Sequence, residues 1–226
     1  MLAAQQSHLT KLCTLLVVLF FATLLIGSRG YQYAASVLLI LGVITFPWHI
    51  KQVPLRNNRA MQWFIFCIVF YFGTFVLSML VHHDKMKELD AVSRALLCIP
   101  LVYLLIRCKL TLNAVLYAII AGSIIAGVIA ISDIFLFSEH AAFSQMMQIQ
   151  GGGIAMSLGI FSLCIGLYYL QKNNRNLAFI SFVASLSGIL ASILSTSRGA
   201  WIGLPVVLVV ILIYYRRQIS SRFYLV

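Results

Sequence analysis

Residues 111–137 read TLNAVLYAIIAGSIIAGVIAISDIFLF, a run of 27 residues in which Asp133 is the one charged side chain. A helix needs about 20 consecutive apolar residues to cross the hydrocarbon core of a bilayer. Backbone groups in hydrocarbon must bond within their own segment, and this run lacks the alternation typical of a barrel strand. The run therefore predicts a transmembrane helix.

Seven further apolar runs accompany it, at residues 12–27, 31–48, 61–81, 91–106, 151–170, 177–194 and 201–215. Each is long enough to span a membrane once tilt and flanking residues are allowed for. We therefore predict an all-α, polytopic transmembrane helical bundle of about eight spans. Residues 1–226 are expected to form a single transmembrane helical domain.

The composition agrees with this architecture. The 226 residues are 62% hydrophobic and 9% charged, with a mean hydropathy of +1.01. Soluble domains average about 45–50% apolar and about 25% charged residues. The difference excludes a water-soluble globule, a disordered chain, a collagen and a small disulfide scaffold.

The formal net charge of +11 reflects membrane orientation. Such a charge in a soluble protein would indicate nucleic-acid binding, but these basic residues lie in small groups between apolar runs, so no nucleic-acid partner is predicted. With eight spans, eleven of the sixteen Lys and Arg residues fall on the side of both termini, which predicts cytoplasmic termini. The five basic residues on the other side are Arg29, Lys85, Lys87, Arg94 and Arg198.

Arg198 is the strongest candidate for a binding residue. It stands in the segment Ser195–Trp201, between two strongly apolar runs, with no acidic residue nearby in sequence. A guanidinium beside Thr196 and Ser197 suits an anion such as a phosphate, and a helix beginning near Gly199 would favour the same ligand. The alternative is an arginine that only anchors its helix at the membrane surface.

Other polar groups leave their roles open. Arg94 follows Asp90 by four residues, a helical spacing that allows either an ion pair or a ligand-binding role for the arginine. Asp133 could be a proton or cation site, a partner of an outer arginine, or an exposed interfacial residue. The sequence His82-His83-Asp84 lacks a third ligand at helical spacing, and Glu139-His140, on the outer side, leaves its role equally open. No metal site and no cofactor are predicted.

Three segments resemble a known family. Residues 193–203, ILSTSRGAWIG, are similar to the serine/threonine–arginine–glycine signature of bacterial O-antigen ligases and the related O-antigen polymerases. Residues 90–101, DAVSRALLCIPL, resemble the segment before a middle helix of the ligases. Residues 150–163 resemble the glycine-rich start of another helix, although Gly151–Gly153 stand where the family often has proline.

The resemblance implies a multi-pass glycosyltransferase of the bacterial inner (plasma) membrane, with a periplasmic functional face, acting in lipopolysaccharide biosynthesis. Such an enzyme transfers a polysaccharide from undecaprenyl pyrophosphate to the lipid A core, surrounded by membrane lipids. Arg198, assisted by Arg94, would then bind the carrier's pyrophosphate. Thr196, Ser197 and Asp90 would support the two arginines.

The resemblance also implies a longer protein of about twelve spans, with a large periplasmic loop that supplies a further arginine and a histidine base. We therefore expect this chain to be the N-terminal part of that fold, without the catalytic loop. Its catalytic residues are left unassigned, and so is its status as an enzyme. The alternatives are an O-antigen polymerase and a small membrane transporter or lipid-handling protein.

Overall fold

The computed structural model describes residues 2–27, 30–52, 58–82, 89–138, 140–144 and 148–223. Within these ranges the chain is almost entirely helical and contains no strand, which confirms the all-α prediction. The helices are α1 (Leu2–Thr23), α2 (Gly30–Gln52), α3 (Arg59–His82), α4 (Leu89–Leu96), α5 (Cys98–Cys108), α6 (Leu112–Phe135), α7 (Gln148–Gln171), α8 (Arg175–Leu194) and α9 (Gly199–Phe223).

Among the described residues, four segments are long and apolar enough to cross a membrane: Arg59–Met79 in α3, Leu112–Phe135 in α6, Ile149–Gln171 in α7 and Arg175–Leu194 in α8. Shorter apolar segments lie in α1, α2 and α9. This is the architecture expected of a helical membrane protein.

The run at residues 91–106 differs from the prediction, because two helices replace the single expected one. The helices α4 and α5 meet at Leu97, whose N–H donates to the Arg94 carbonyl at 3.1 Å. Pro100 lies in the first turn of α5 and has no N–H to offer the carbonyl of Leu96. The missing hydrogen bond explains why the helix is interrupted at this point.

The chain forms two compact units. Unit 1 comprises Met1–Leu16 and Tyr33–Thr111, and unit 2 comprises Val17–Gln32 and Leu112–Val226. The core of unit 1 joins α1 and α5: Cys13, Leu104 and Cys108 are almost fully buried, and the two cysteine sulfurs lie 3.2 Å apart.

Unit 2 is organised around α6, α7 and α8, and the most extensive contact is between α7 and α8. Small residues fill these helix interfaces, whereas large ones such as Phe179 and Leu186 point outward and are about 70% exposed. Lipid is as apolar as leucine, so helices in a membrane associate where small side chains let their backbones approach closely. The buried small residues include Ala126, Ala130, Ala155, Ala184, Gly188 and Ala191.

Candidate functional site

Arg198 lies in the short connection between α8 and α9 of unit 2. The Ser195 N–H donates to the Ala191 carbonyl at 3.0 Å and closes α8. Thr196 has a φ of 57°, in the left-handed region that turns the chain away from the helix axis, and its N–H donates to Ile193. The helix α9 then begins at Gly199, as the sequence predicts.

Buried serines fix this connection against α7. The Ser195 hydroxyl donates to the Ser192 carbonyl at 2.7 Å and accepts from the Ser197 N–H at 3.4 Å. The Ser197 hydroxyl faces the Ile149 carbonyl at 3.5 Å, in the first turn of α7. Ser197, one of the predicted supporting residues, is therefore held by contacts with Ser195 and with the first turn of α7.

Gly152 explains how α7 comes so close to this connection. A Cβ atom at Gly152 would lie 2.6 Å from the Cβ of Ser197 and would collide with the Ser195 hydroxyl. Only glycine leaves room for the two backbones at this distance. The glycines at 151–153 thus lie inside a helix, where Gly151 and Gly152 permit close packing, whereas a Cβ atom at Gly153 would meet nothing within 4 Å.

Asp133 stabilises the segment 140–144 next to these helices. Its Oδ2 accepts a hydrogen bond from the Phe143 N–H at 2.8 Å, and the Ala142 N–H donates to the Leu194 carbonyl at the end of α8 at 2.9 Å. Phe143 has an unfavourable φ of 62°, and its ring packs against Gly151. Asp133 thus has a structural contact that none of its three sequence-based interpretations includes.

An open groove of about 470 Å³ lies beside the connection. Its described lining residues are Ile193, Thr196, Ser197, Arg198 and Trp201, and Arg198 is the one ionisable group among them. The side chains of Arg198 and Thr196 are exposed, whereas Ser197 is buried. The groove combines a positive charge, a hydroxyl and an indole ring with the N-terminal end of α9, a combination that attracts anions.

Arg94 occupies a different setting in unit 1. It is exposed in the last turn of α4, and its carbonyl accepts from the Leu97 N–H. Asp90 lies one turn earlier in the same helix, but its side chain is outside the described part of the structure. The Asp90–Arg94 ion pair therefore stays a prediction.

The histidine-containing sequences contribute no metal site among the residues that the structure describes. His83, Asp84 and Glu139 lie outside the described ranges, and His140 is exposed. The groove also includes Ile193 and Trp201, which sequence reasoning did not assign to a site. Both flank the Ser-Thr-Ser-Arg segment, but apolar residues are so common in this chain that they do not by themselves predict a binding site.

Comparison with known proteins gives one informative similarity. A protein of Haemophilus influenzae (strain ATCC 51907 / DSM 11121 / KW20 / Rd), described as an uncharacterized protein, is 38% identical to the chain over 222 residues. The alignment covers 96% of this chain, which spans about half the length (54%) of that relative. No protein-family model matches the chain, and no solved structure matches it.

Proposed function

We propose that the chain belongs to an O-antigen ligase-like glycosyltransferase of the bacterial inner membrane. The protein transfers a polysaccharide from undecaprenyl pyrophosphate to a sugar hydroxyl of the lipid A core. The observation that carries this proposal is the exposed Arg198 guanidinium at the start of α9 in an apolar helical protein, in a groove whose described lining residues include no acidic one. The resemblance of residues 193–203 to the ligase signature supplies the reaction class.

Arg198 supports this chemistry electrostatically. When a sugar leaves a diphosphate carrier, negative charge develops on the departing phosphate oxygen, and a fixed guanidinium stabilises that charge. The guanidinium offers paired N–H donors that match two phosphate oxygens, while Thr196 supplies a hydroxyl at the groove surface. The general base that removes the proton of the acceptor hydroxyl is left unassigned, and Arg94 is proposed as an assisting cation.

The proposed membrane arrangement has eight crossings, cytoplasmic termini and a periplasmic functional face. The fourth crossing combines α4 and α5, from Leu89 to Cys108. The support for this arrangement is the distribution of charge, since eleven of the sixteen basic residues fall on one side of it. It puts Arg198 and Arg94 on the face where the carrier-linked polymer is available.

The experiment replaces Arg198 in the full-length protein and measures polymer attached to lipid A core in cells that lack the native copy. We expect Arg198→Ala to reduce attachment by about 10²–10³-fold, as loss of a charge-stabilising donor does in other enzymes. Arg198→Lys keeps the charge but loses the bidentate geometry, so it retains partial activity. Arg59→Ala is the matched control, since it removes an exposed arginine at the start of α3 that is not among the described lining residues of the groove.

The same cells distinguish the ligase from the polymerase. Loss of a ligase leaves long polymer on the carrier, whereas loss of a polymerase leaves single repeat units on lipid A core. Normal attachment of normal polymer in the Arg198→Ala strain would contradict both functions and favour a transporter or lipid-handling protein.

A further inference from the structure

A second cavity of unit 2, of about 310 Å³, lies between α6 and α7 and differs in chemistry from the arginine groove. Leu116 and Ile119 line it from α6, and Phe161, Cys164 and Tyr168 line it from α7. Its lining is almost wholly apolar, and its volume is near the lower limit of about 300–1,000 Å³ that is usual for small-ligand sites. We call it the α6–α7 groove.

A positive charge is held at one end of the α6–α7 groove. The Lys172 ammonium lies 4.6 Å from the centre of the Tyr168 ring, which itself lines the groove. This is within the range of a cation–π contact, so the ring holds the ammonium next to the apolar surface. Arg175 follows three residues later, at the start of α8, and both basic side chains are exposed.

Asp133, the one acidic residue of unit 2 that the structure describes, lies far from these charges. The whole chain has five acidic residues, and the two that belong to unit 2 are Asp133 and Glu139. Asp133 lies 17 positions beyond Leu116 in α6, about 25 Å along the helix, and it is bonded to Phe143. The Lys172 end of the groove therefore combines an apolar slot with positive charge that no described acidic residue of unit 2 approaches.

We propose that the α6–α7 groove is a binding site for an anionic phospholipid. One acyl chain lies in the apolar slot, against Leu116, Ile119 and Phe161, and the headgroup phosphate contacts the Lys172 ammonium. Basic residues between transmembrane helices, at the level of the headgroups, recognise anionic lipids in this way. The site is separate from the Arg198 groove and does not depend on the proposed enzymatic function.

Cys164 provides a probe inside the proposed site. The full chain is reconstituted in nanodiscs of phosphatidylcholine, with or without phosphatidylglycerol, and treated with N-ethylmaleimide. Mass spectrometry of peptides then follows the modification of Cys164 and of Cys67, an exposed cysteine on α3 that serves as the control within the same molecule. We expect phosphatidylglycerol to slow the modification of Cys164 about fivefold, the effect of one basic residue on anionic-lipid binding, and to leave Cys67 unchanged.

Two variants test the two halves of the site. Lys172→Gln removes the headgroup contact, so phosphatidylglycerol should no longer slow the modification of Cys164. Arg59→Gln removes an exposed arginine at the start of α3 and should leave the slowing intact. Leu116→Trp fills the slot and should slow the modification of Cys164 equally in both lipids, whereas Val183→Trp, at an exposed position of α8, should change neither rate.

The proposal is overturned if phosphatidylglycerol does not slow the modification of Cys164, or if it slows Cys67 to the same extent. It is also overturned if Lys172→Gln protein is protected as well as the wild type is. These readouts compare lipids within one protein preparation. A variant that folds poorly is recognised by loss of helical circular dichroism and is replaced by Lys172→Met.

Discussion

The helices α3 and α8 are both apolar enough to span a membrane, yet they pack in opposite ways. Only 6% of the span in α3 is buried within the protein, compared with 39% of the span in α8. The difference lies in side-chain size: α3 carries Phe64, Phe66, Phe70, Tyr71 and Phe75, whereas the buried face of α8 is built from alanine, serine and glycine. In this protein, therefore, small size rather than hydrophobicity marks the surfaces that pack.

Two glycines provide the strongest test of this comparison. A Cβ atom at Gly188 of α8 would lie 2.8 Å from both the Ala155 carbonyl oxygen and the Gly159 Cα, whereas a Cβ atom at Gly73 of α3 would meet nothing within 4 Å. We expect Gly188→Ala to lower the free energy of unfolding by about 3 kcal/mol, because the two backbones must separate. Gly73→Ala should raise it by up to about 1 kcal/mol through helix propensity.

Titration of the reconstituted variants with sodium dodecyl sulfate, followed by circular dichroism, measures both changes. Equal destabilisation at the two positions would show that α3 is packed as tightly as α8 and would remove the contrast between them.

Hydropathy predicts most of the helices but not their packed faces. The buried face of α8 carries Ser181 and Ser185 beside Ala184, whereas its exposed face carries large apolar residues such as Phe179, so hydropathy does not mark the buried face. Pro100 could have predicted the interruption at Leu97, but the continuous apolar run 91–106 favoured a single helix. Arg198 could be predicted as a candidate binding residue because it is a single cation between two apolar runs. The bond from Phe143 to Asp133 depends on a left-handed backbone, which no residue pattern at this position indicates.

The second test asks whether the tight packing of unit 2 extends to the segment 140–144. Asp133→Ala removes the acceptor of the Phe143 N–H and leaves that N–H without its partner. We expect the free energy of unfolding to fall by about 2 kcal/mol, because a buried N–H without an acceptor costs about 1–3 kcal/mol. Amide exchange at Phe143 should become faster. Asp133→Asn retains an acceptor oxygen and should lose less than half as much.

Ser132→Ala is the matched control for this test. The Ser132 hydroxyl bonds to the Ile129 carbonyl of its own helix at 2.8 Å, so its removal should leave exchange at Phe143 unchanged. If Asp133→Ala leaves that exchange rate at the wild-type value, Asp133 does not stabilise the segment.

The smallest expected effect comes from two hydroxyl groups, one that bonds to α8 from a neighbouring helix and one that bonds within α3. The buried Ser123 hydroxyl of α6 donates to the Ala184 carbonyl of α8 at 2.7 Å, whereas the exposed Thr74 hydroxyl of α3 donates to Tyr71 within its own helix at 2.8 Å. Hydrogen bonds between membrane helices contribute about 0.6 kcal/mol on average and up to about 1.7 kcal/mol. We therefore expect Ser123→Ala to lower the unfolding free energy by about 1 kcal/mol and Thr74→Val to change it by less than about 0.3 kcal/mol, in the same detergent titration. A loss at Thr74 as large as the loss at Ser123 would mean that the Thr74 face of α3 is packed as tightly as the buried face of α8, and the contrast between an exposed helix face and a packed one would fail.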